Sequence, residues 1–302
     1  MASMRDIKRR KGSIQSTQQI TKAMKLVSTV KLQKSRTKAE ESKPYFDTMY
    51  QTVRSILSMS ENISHPYLDV GAGSKKGVIV ITSNRGLAGG YNSNITKLIT
   101  KGDFSKEDLE IYAVGKKGRD TLERNGYHIA ADYSEVMEEP SYHDAMHIGR
   151  RVLEAFEKGE IGEIYLAYTI FKNTVVHIPV LVKLLPVCTD DFAGEKYCRG
   201  SLSGSEAETP EEQQGPTAPM NFEMEEVDAL DLLIPKYITS MIYGGLLEAS
   251  ASENGARMQA MDSATSNAED IIEDLTLLYN RARQGSITQE LTEIIAGAQA
   301  IS

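Results

Sequence analysis

Apolar positions along the chain follow two periods, one at each end and another in the middle. Residues 3–58 read as one helix, without a Gly between Ser13 and Ser60 and with Pro44 as the only Pro. Its apolar residues, Ile7, Ile14, Ile20, Met24, Val27 and Val30, form a narrow stripe interrupted by Thr17, Thr21 and Ser28. A stripe that narrow suits a coiled-coil seam better than the broad face of a core helix. Pro44 is expected to kink or interrupt the helix near its middle. At the other end, Met258, Met261, Thr265, Ala268, Ile272, Leu275, Tyr279 and Ala282 recur in alternating steps of three and four, a heptad seam. A second run, Ile287, Leu291, Ile294, Ala298 and Ile301, is out of phase with it, and Gly285 stands at the change. Counted from Lys236 to Ile301, after the last Pro, this helix would be roughly 100 Å long. A compact domain cannot hold that length, so the helix is expected to project beside a partner. Its last turns, Ile294 to Ile301, are apolar almost all round, which calls for enclosure on every side, as a ring or sleeve would give.

The middle is different. Gly77–Thr82, Leu109–Val114 and Tyr127–Ala130 read as short strands, with helices at Ser93–Thr100, Lys116–Asn125 and His143–Glu157 between and after them. Strands at Glu163–Phe171 and Val175–Leu185 follow, joined closely enough for an antiparallel hairpin. Alternation of strand and helix implies an α/β domain around a largely parallel sheet. Four regions result: an N-terminal coiled-coil helix over 1–60, a central α/β domain of Rossmann-like type over 75–190, a polar Gly-, Ser-, Pro- and Glu-rich linker over 191–220, and a C-terminal coiled-coil helix over 221–302.

Charge sharpens the contrast between the ends. Residues 1–43 carry twelve Lys or Arg against three Asp or Glu, whereas residues 221–302 carry four against fourteen. Such asymmetry marks interaction surfaces. The basic helix could bind nucleic acid, but residues 1–43 hold no aromatic side chain to stack on bases, and an acidic protein surface suits it better. The opening MASMRDIKRRKGS lacks the apolar stretch of a secretory signal, and no apolar run is long enough to span a membrane. Two Cys, ten residues apart at 188 and 198, argue against a disulfide scaffold and read as free thiols. The expectation is a soluble protein in a reducing, cytoplasmic setting.

Catalytic chemistry is hard to find. Thr82-Ser-Asn-Arg-Gly-Leu-Ala-Gly-Gly-Tyr-Asn92 is a glycine-rich turn between a strand and a helix, a place where backbone N–H groups can cradle phosphate. It matches neither established phosphate-loop spacing, so a turn that docks another element is the better reading. His143 and His147 stand four apart, as metal ligands can, but no third ligand is evident at matching spacing. No nucleophile–base or paired-carboxylate arrangement stands out. The residues alone describe a projecting two-helix rod carrying an α/β domain, with no catalytic, cofactor or metal site.

Three runs carry a resemblance. SIQSTQQITKAMKLVSTVKLQKSR (13–36), SNRGLAGGYNSN (83–94) and SENGARMQAMDSATSNAEDIIEDLTLLYNRARQGSITQELTEIIAGAQA (252–300) resemble, in this order, the gamma subunits of F-type ATP synthases. The resemblance covers almost the whole chain; residues 189–220 fit poorly, and Gly255 stands where the family often has a better helix former. It implies an antiparallel coiled coil of the terminal helices inside a ring of three alpha and three beta subunits. The α/β domain would lie at the foot, against the epsilon subunit and the membrane ring of c subunits. The protein would be peripheral, on the cytoplasmic face of a bacterial cell membrane. It would act as the rotating central shaft that couples proton or sodium flow to the beta-subunit nucleotide sites, and would make no covalent step itself. By the same resemblance Met24, Lys25, Arg257, Arg283, Gln284, Thr288 and Glu290 meet the beta subunits, and Ile294, Ile295, Ala298 and Ile301 form an apolar bearing tip. Two alternatives remain: a self-associating structural coiled coil with an α/β cap, and a nucleotide-using enzyme acting through Gly86–Gly90.

Overall fold

The structure is a computed structural model that describes residues 4–59, 65–102, 104–187 and 226–301. Helix α1 (Met4–Met59) is followed by β1 (Lys75–Ile81), α2 (Tyr91–Thr100), β2 (Leu109–Val114), α3 (Lys116–Arg124) and β3 (His128–Asp132). Then come α4 (Tyr142–Glu157), β4 (Ile161–Phe171), β5 (His177–Leu185) and α5 (Glu226–Ile301). Cys188, Cys198 and the 191–220 linker lie outside the described residues. The chain divides into two compact units, one of Thr29–Arg257 and one of Met1–Ser28 with Met258–Ser302.

In the first unit the strands form one sheet in the order β3-β2-β1-β4-β5. The first four are parallel and β5 runs antiparallel to β4. Both faces are covered, which explains why β1 reads as an unbroken β-branched run rather than an alternation. Ile79 and Ile81 point into a core with Ile148, Val152 and Phe156 of α4 and Ile234, Ile238, Ile242 and Leu246 of α5. Val78 and Val80 point the other way, onto Ile95 and Ile99 of α2 and Leu122 of α3. Helix α4 begins at a capping box, where Ser141 and Asp144 satisfy each other's backbone N–H groups.

Several sequence boundaries shift. β4 and β3 begin at Ile161 and His128 rather than Glu163 and Tyr127, and β5 begins at His177 rather than Val175. Val175 and Val176 are β-branched but belong to the hairpin bend, where both N–H groups bond the Asn173 side chain. Neither proline ends its helix. α1 continues through Pro44 and α5 through Pro235, and Thr48 and Thr239, one turn on, donate hydroxyl hydrogen bonds to the Pro44 and Pro235 carbonyls. The described part of α5 therefore starts a full ten residues before Lys236.

In the second unit α1 and α5 lie antiparallel. The cross-helix pairs Gln18–Glu269, Thr21–Thr265 and Lys25–Asp262 descend along one helix as they climb the other. On α5 the heptad seam is the covered line: Met261, Ala268 and Leu275 are buried, and Met258, Thr265, Ile272, Tyr279 and Ala282 are half-buried. On α1 the sequence reading needs correction. Ile20 and Val27 are 60% and 58% exposed, while the covered positions step by seven through Ile7, Ile14, Thr21 and Ser28. Of the residues taken as interruptions, Thr21 and Ser28 belong to the seam and Thr17 is exposed, while Ile20, Val27 and Val30, which obscured the seam, face outward.

Candidate interaction surfaces

The polar seam is built by three kinds of contact. Thr21 and Thr265 hydroxyls meet at 2.7 Å, and Thr265 also lies 2.7 Å from the Met261 carbonyl. The Thr21 hydroxyl likewise lies 3.0 Å from the Gln18 carbonyl; since one hydroxyl carries one proton, one threonine donates across the seam and the other to a carbonyl of its own helix. A turn away, Lys25 Nζ reaches Asp262 at 2.6 Å, and Gln18 donates to Glu269 at 2.9 Å. Hydrogen-bonded pairs in a seam cost stability relative to Leu or Ile, but they define a single register. The basic N-terminal helix thus finds its first acidic partner inside the chain. Lys25 is partly used in this way, with its side chain 40% exposed, and Met24 is half-buried beside it.

Beyond Ala282 the picture changes abruptly. Every residue from Arg283 to Gln299 is exposed, including Arg283, Gln284, Thr288, Glu290 and Ala298. Ile287, Leu291, Ile294 and Ile295 are 49%, 55%, 67% and 58% exposed. Ile301 is in the helix, and its side chain lies outside the described residues. The reason is a difference in length: the described part of α1 begins at Met4, and antiparallel pairing places its start near Ala282. Among the described residues no helix pairs with the last turns of α5. Such a stretch is marginal as a lone helix in water and displays apolar side chains on several sides. Thr288 and Thr292 hydroxyls fold back onto the carbonyls of Gln284 and Thr288, so the polar side chains offer little cover to the isoleucines.

Arg257 is placed differently from its expected role. It is 9% exposed, and its Nη2 donates to Glu253 Oε1 at 2.7 Å. The same nitrogen approaches the carbonyls of Arg85 and Gly86 at 3.5 and 3.4 Å. Burial raises the Glu253 proton affinity, and the Arg257 guanidinium opposes that rise. Arg257 is therefore spent inside the unit, holding the turn after β1, and is not brought together with the exposed residues on α5. Its i, i+4 spacing to Glu253 was the signal available in the sequence.

The same turn answers the nucleotide question. It lies at the carboxyl end of β1, where the sheet order reverses and doubly wound folds take up ligands. Here the N–H groups of the neighbouring turn are occupied. The N–H groups of Lys116, Lys117 and Gly118, at the start of α3, bond Asn84 Oδ1, the Ser83 carbonyl and Thr82 Oγ1. Asn92 closes the start of α2 onto the Ser83 N–H and hydroxyl. Gly115, at φ +107°, lets the two turns touch: a Cβ there would sit 2.1 Å from the Thr82 carbonyl oxygen. Gly115 and Gly118 serve close packing against Thr82, whereas Gly86 and Gly89 have open space around them, and Arg257 of α5 approaches the Arg85 and Gly86 carbonyls. His143 and His147 are exposed, with rings 5.2 Å apart, and no group of three metal-binding side chains occurs among the described residues.

A family model described as ATP synthase matches residues 3–301. The ATP synthase gamma chain of Lachnoclostridium phytofermentans is 64% identical over 302 residues, all of both chains. That of Alkaliphilus metalliredigens is 44% identical, covering 99% of this chain and 98% of its own. A sodium ion specific ATP synthase gamma chain from Acetobacterium woodii is 40% identical over 99% of both. Among solved structures, a chain of the rotor of Euglena gracilis mitochondrial ATP synthase aligns with a TM-score of 0.64 at 19% identity, covering 94% of this chain and 98% of that one. At that identity the likeness concerns the fold. With matches of this extent and identity along its whole length, the chain belongs to the ATP synthase gamma-chain family.

Proposed function

We propose that this chain is the central rotating shaft of an F-type ATP synthase, a coupling subunit without covalent chemistry of its own. The single observation that carries the reading is the run of α5 from Arg283 to Gln299, helical yet exposed at every position. Its isoleucines and leucine need an enclosing partner, and a ring of alpha and beta subunits supplies one on all sides. Apolar contact is non-directional, so it permits turning where hydrogen bonds or ion pairs would fix an orientation. Arg283, Gln284, Thr288 and Glu290 are the exposed polar groups just below that tip, suited to contacts with the beta subunits. Met24 and Lys25 contribute from α1.

Coupling follows from symmetry. One chain cannot match three beta subunits alike, so each meets a different face of the coil and is biased to a different conformation. A ligand-linked change of this kind requires contact energies that differ between states. Turning by about a third of a revolution permutes the three states. Ion flow through the c-subunit ring would drive the turn towards synthesis, and hydrolysis would drive it back. The α/β unit is the part suited to the epsilon subunit and the c ring, on the cytoplasmic face of a bacterial membrane. The ion is a proton or sodium; a sodium-specific relative exists at 40% identity.

The reading is tested in membrane vesicles rebuilt with the remaining subunits. ATP-driven ion uptake is expected only when this chain is present, and uptake of equal size without it would overturn the proposal.

A further inference from the structure

One contact in the α/β unit collects polar groups that its packing does not satisfy. Among the described residues six buried side-chain atoms lack a hydrogen-bond partner, and four of them belong to Thr169, His177 and Glu248. These residues lie where α5 crosses the turn end of the β4–β5 hairpin. Phe171 pairs with His177 in the sheet register, and Thr169 pairs with Pro179 two residues away. Glu248, Ser252 and Gly255 follow at steps of four and three, on one face of α5. That face meets the hairpin at each step. The Phe171 N–H supports the Glu248 carboxyl. The Ser252 hydroxyl donates to the Thr169 carbonyl at 3.1 Å. A Cβ on Gly255 would lie 3.0 Å from the His177 ring and 3.1 Å from Phe171, so glycine allows the close approach.

Glu248 is 5% exposed and its Oε2 meets no donor. A buried carboxylate without a cation is costly, whereas a neutral carboxyl can donate as well as accept. The facing groups supply no cation. On β4 the Phe171 N–H supports the Glu248 carboxyl, and on β5 the His177 ring packs beside Gly255, two turns further along α5, with the Thr174 backbone opposing the effect of its burial. From α1, Ser35 bonds Ser250 two residues further on. On α5 itself the nearest ionised group is Glu253, held by Arg257.

We propose that Glu248, His177 and Thr169 form a proton-binding latch, which holds α5 on the β4–β5 hairpin while Glu248 is protonated and His177 neutral, and loosens when Glu248 ionises. Burial pushes the Glu248 carboxyl up to about 8, opposed only by the Phe171 N–H, and burial lowers the His177 imidazole. The closed contact thus holds one more proton than the open one above the ordinary carboxyl value of 4.5 and below about 8. Opening must become easier as pH rises through that window and level off above it. Below the ordinary histidine value of 6.5 the opposite effect of His177 enters, since the open form then takes up a proton.

The test is amide hydrogen exchange on the full chain, read at Phe171 and at residues 248–252, and corrected for the intrinsic pH dependence of exchange. Between pH 6.5 and 8 the opening constant should rise about tenfold per pH unit in the native protein, and should be nearly flat in Glu248→Gln. Glu248→Met, apolar and of similar length, should be flat as well, which covers the case in which the amide folds poorly. Below pH 6.5 the two opposite effects cancel and the native profile should level off, whereas His177→Gln should extend the rise down towards the ordinary carboxyl value. A flat native profile, or the same slope in native and both Glu248 variants, would overturn the latch. None of these readouts depends on assembly into a synthase, so failure here leaves the shaft proposal standing, and failure of the shaft leaves the latch intact.

Discussion

At the scale of single residues, the largest effects belong to buried charge. Arg257 and Glu253 have side chains 11% exposed each and hold one another. Removing one partner strands the other. Arg257→Met should destabilise the chain by about 3 kcal/mol, and adding Glu253→Gln should restore part of that loss. A denaturant double-mutant cycle measures it, and additive losses would count against the pairing. Glycines predict opposite signs at two positions. Gly115→Ala forces a Cβ against the Thr82 carbonyl at a positive φ and should cost more than about 2 kcal/mol of stability. Gly285→Ala sits in a helix with nothing within 4 Å and should strengthen the end of α5 by about 0.5–1 kcal/mol. Amide exchange over residues 283–299 would show the gain as slower exchange, and global unfolding would show the Gly115 loss.

At the scale of elements, legibility in the sequence followed burial. β2 has the same bounds in sequence and structure because both its faces are covered, and hydrophobic runs of that kind have few readings. The α5 seam was equally plain, since its covered positions from Met258 to Ala282 are mostly apolar. The α1 seam was hidden because Thr21 and Ser28 are polar and their apolar neighbours are exposed. Strict sevenfold spacing from Ile7 would have revealed it. Neither Pro44 nor Pro235 interrupts its helix, where a long, packed helix outweighs one lost hydrogen bond. Arg257 could be read as a contact by resemblance, but its burial depends on the β1–α2 turn far away in sequence, which no local pattern encodes. The seam itself can be tested. Replacing Thr21 and Thr265 together by Val removes a satisfied polar pair from a helix interface and should raise the stability of the coil by about 1–2 kcal/mol, at the expense of register. A stability gain with broadened amide signals across 14–28 and 258–275 fits this account, and a loss of stability would contradict it.

At the scale of the whole molecule, the apolar end of α5 sets the requirement. Deleting residues 294–302 should weaken a bearing but leave the contacts below it. Replacing Ile294 and Ile301 by Asp should lower assembly with alpha and beta subunits more than deletion does, because a charge enclosed without a partner costs more than a missing side chain. Equal assembly yields for the two variants would argue against an apolar sleeve. An acidic chain with a basic first helix and an uncovered helical end is poorly explained as a free-standing coiled coil, which should cover that end against a second copy. The measurement that separates these most directly is co-expression with the alpha and beta subunits of the same organism, followed by native mass and ATPase assay. The account predicts a complex of three alpha, three beta and one copy of this chain, with ATPase activity that depends on it. A stable homodimer that leaves alpha and beta unbound would contradict the shaft.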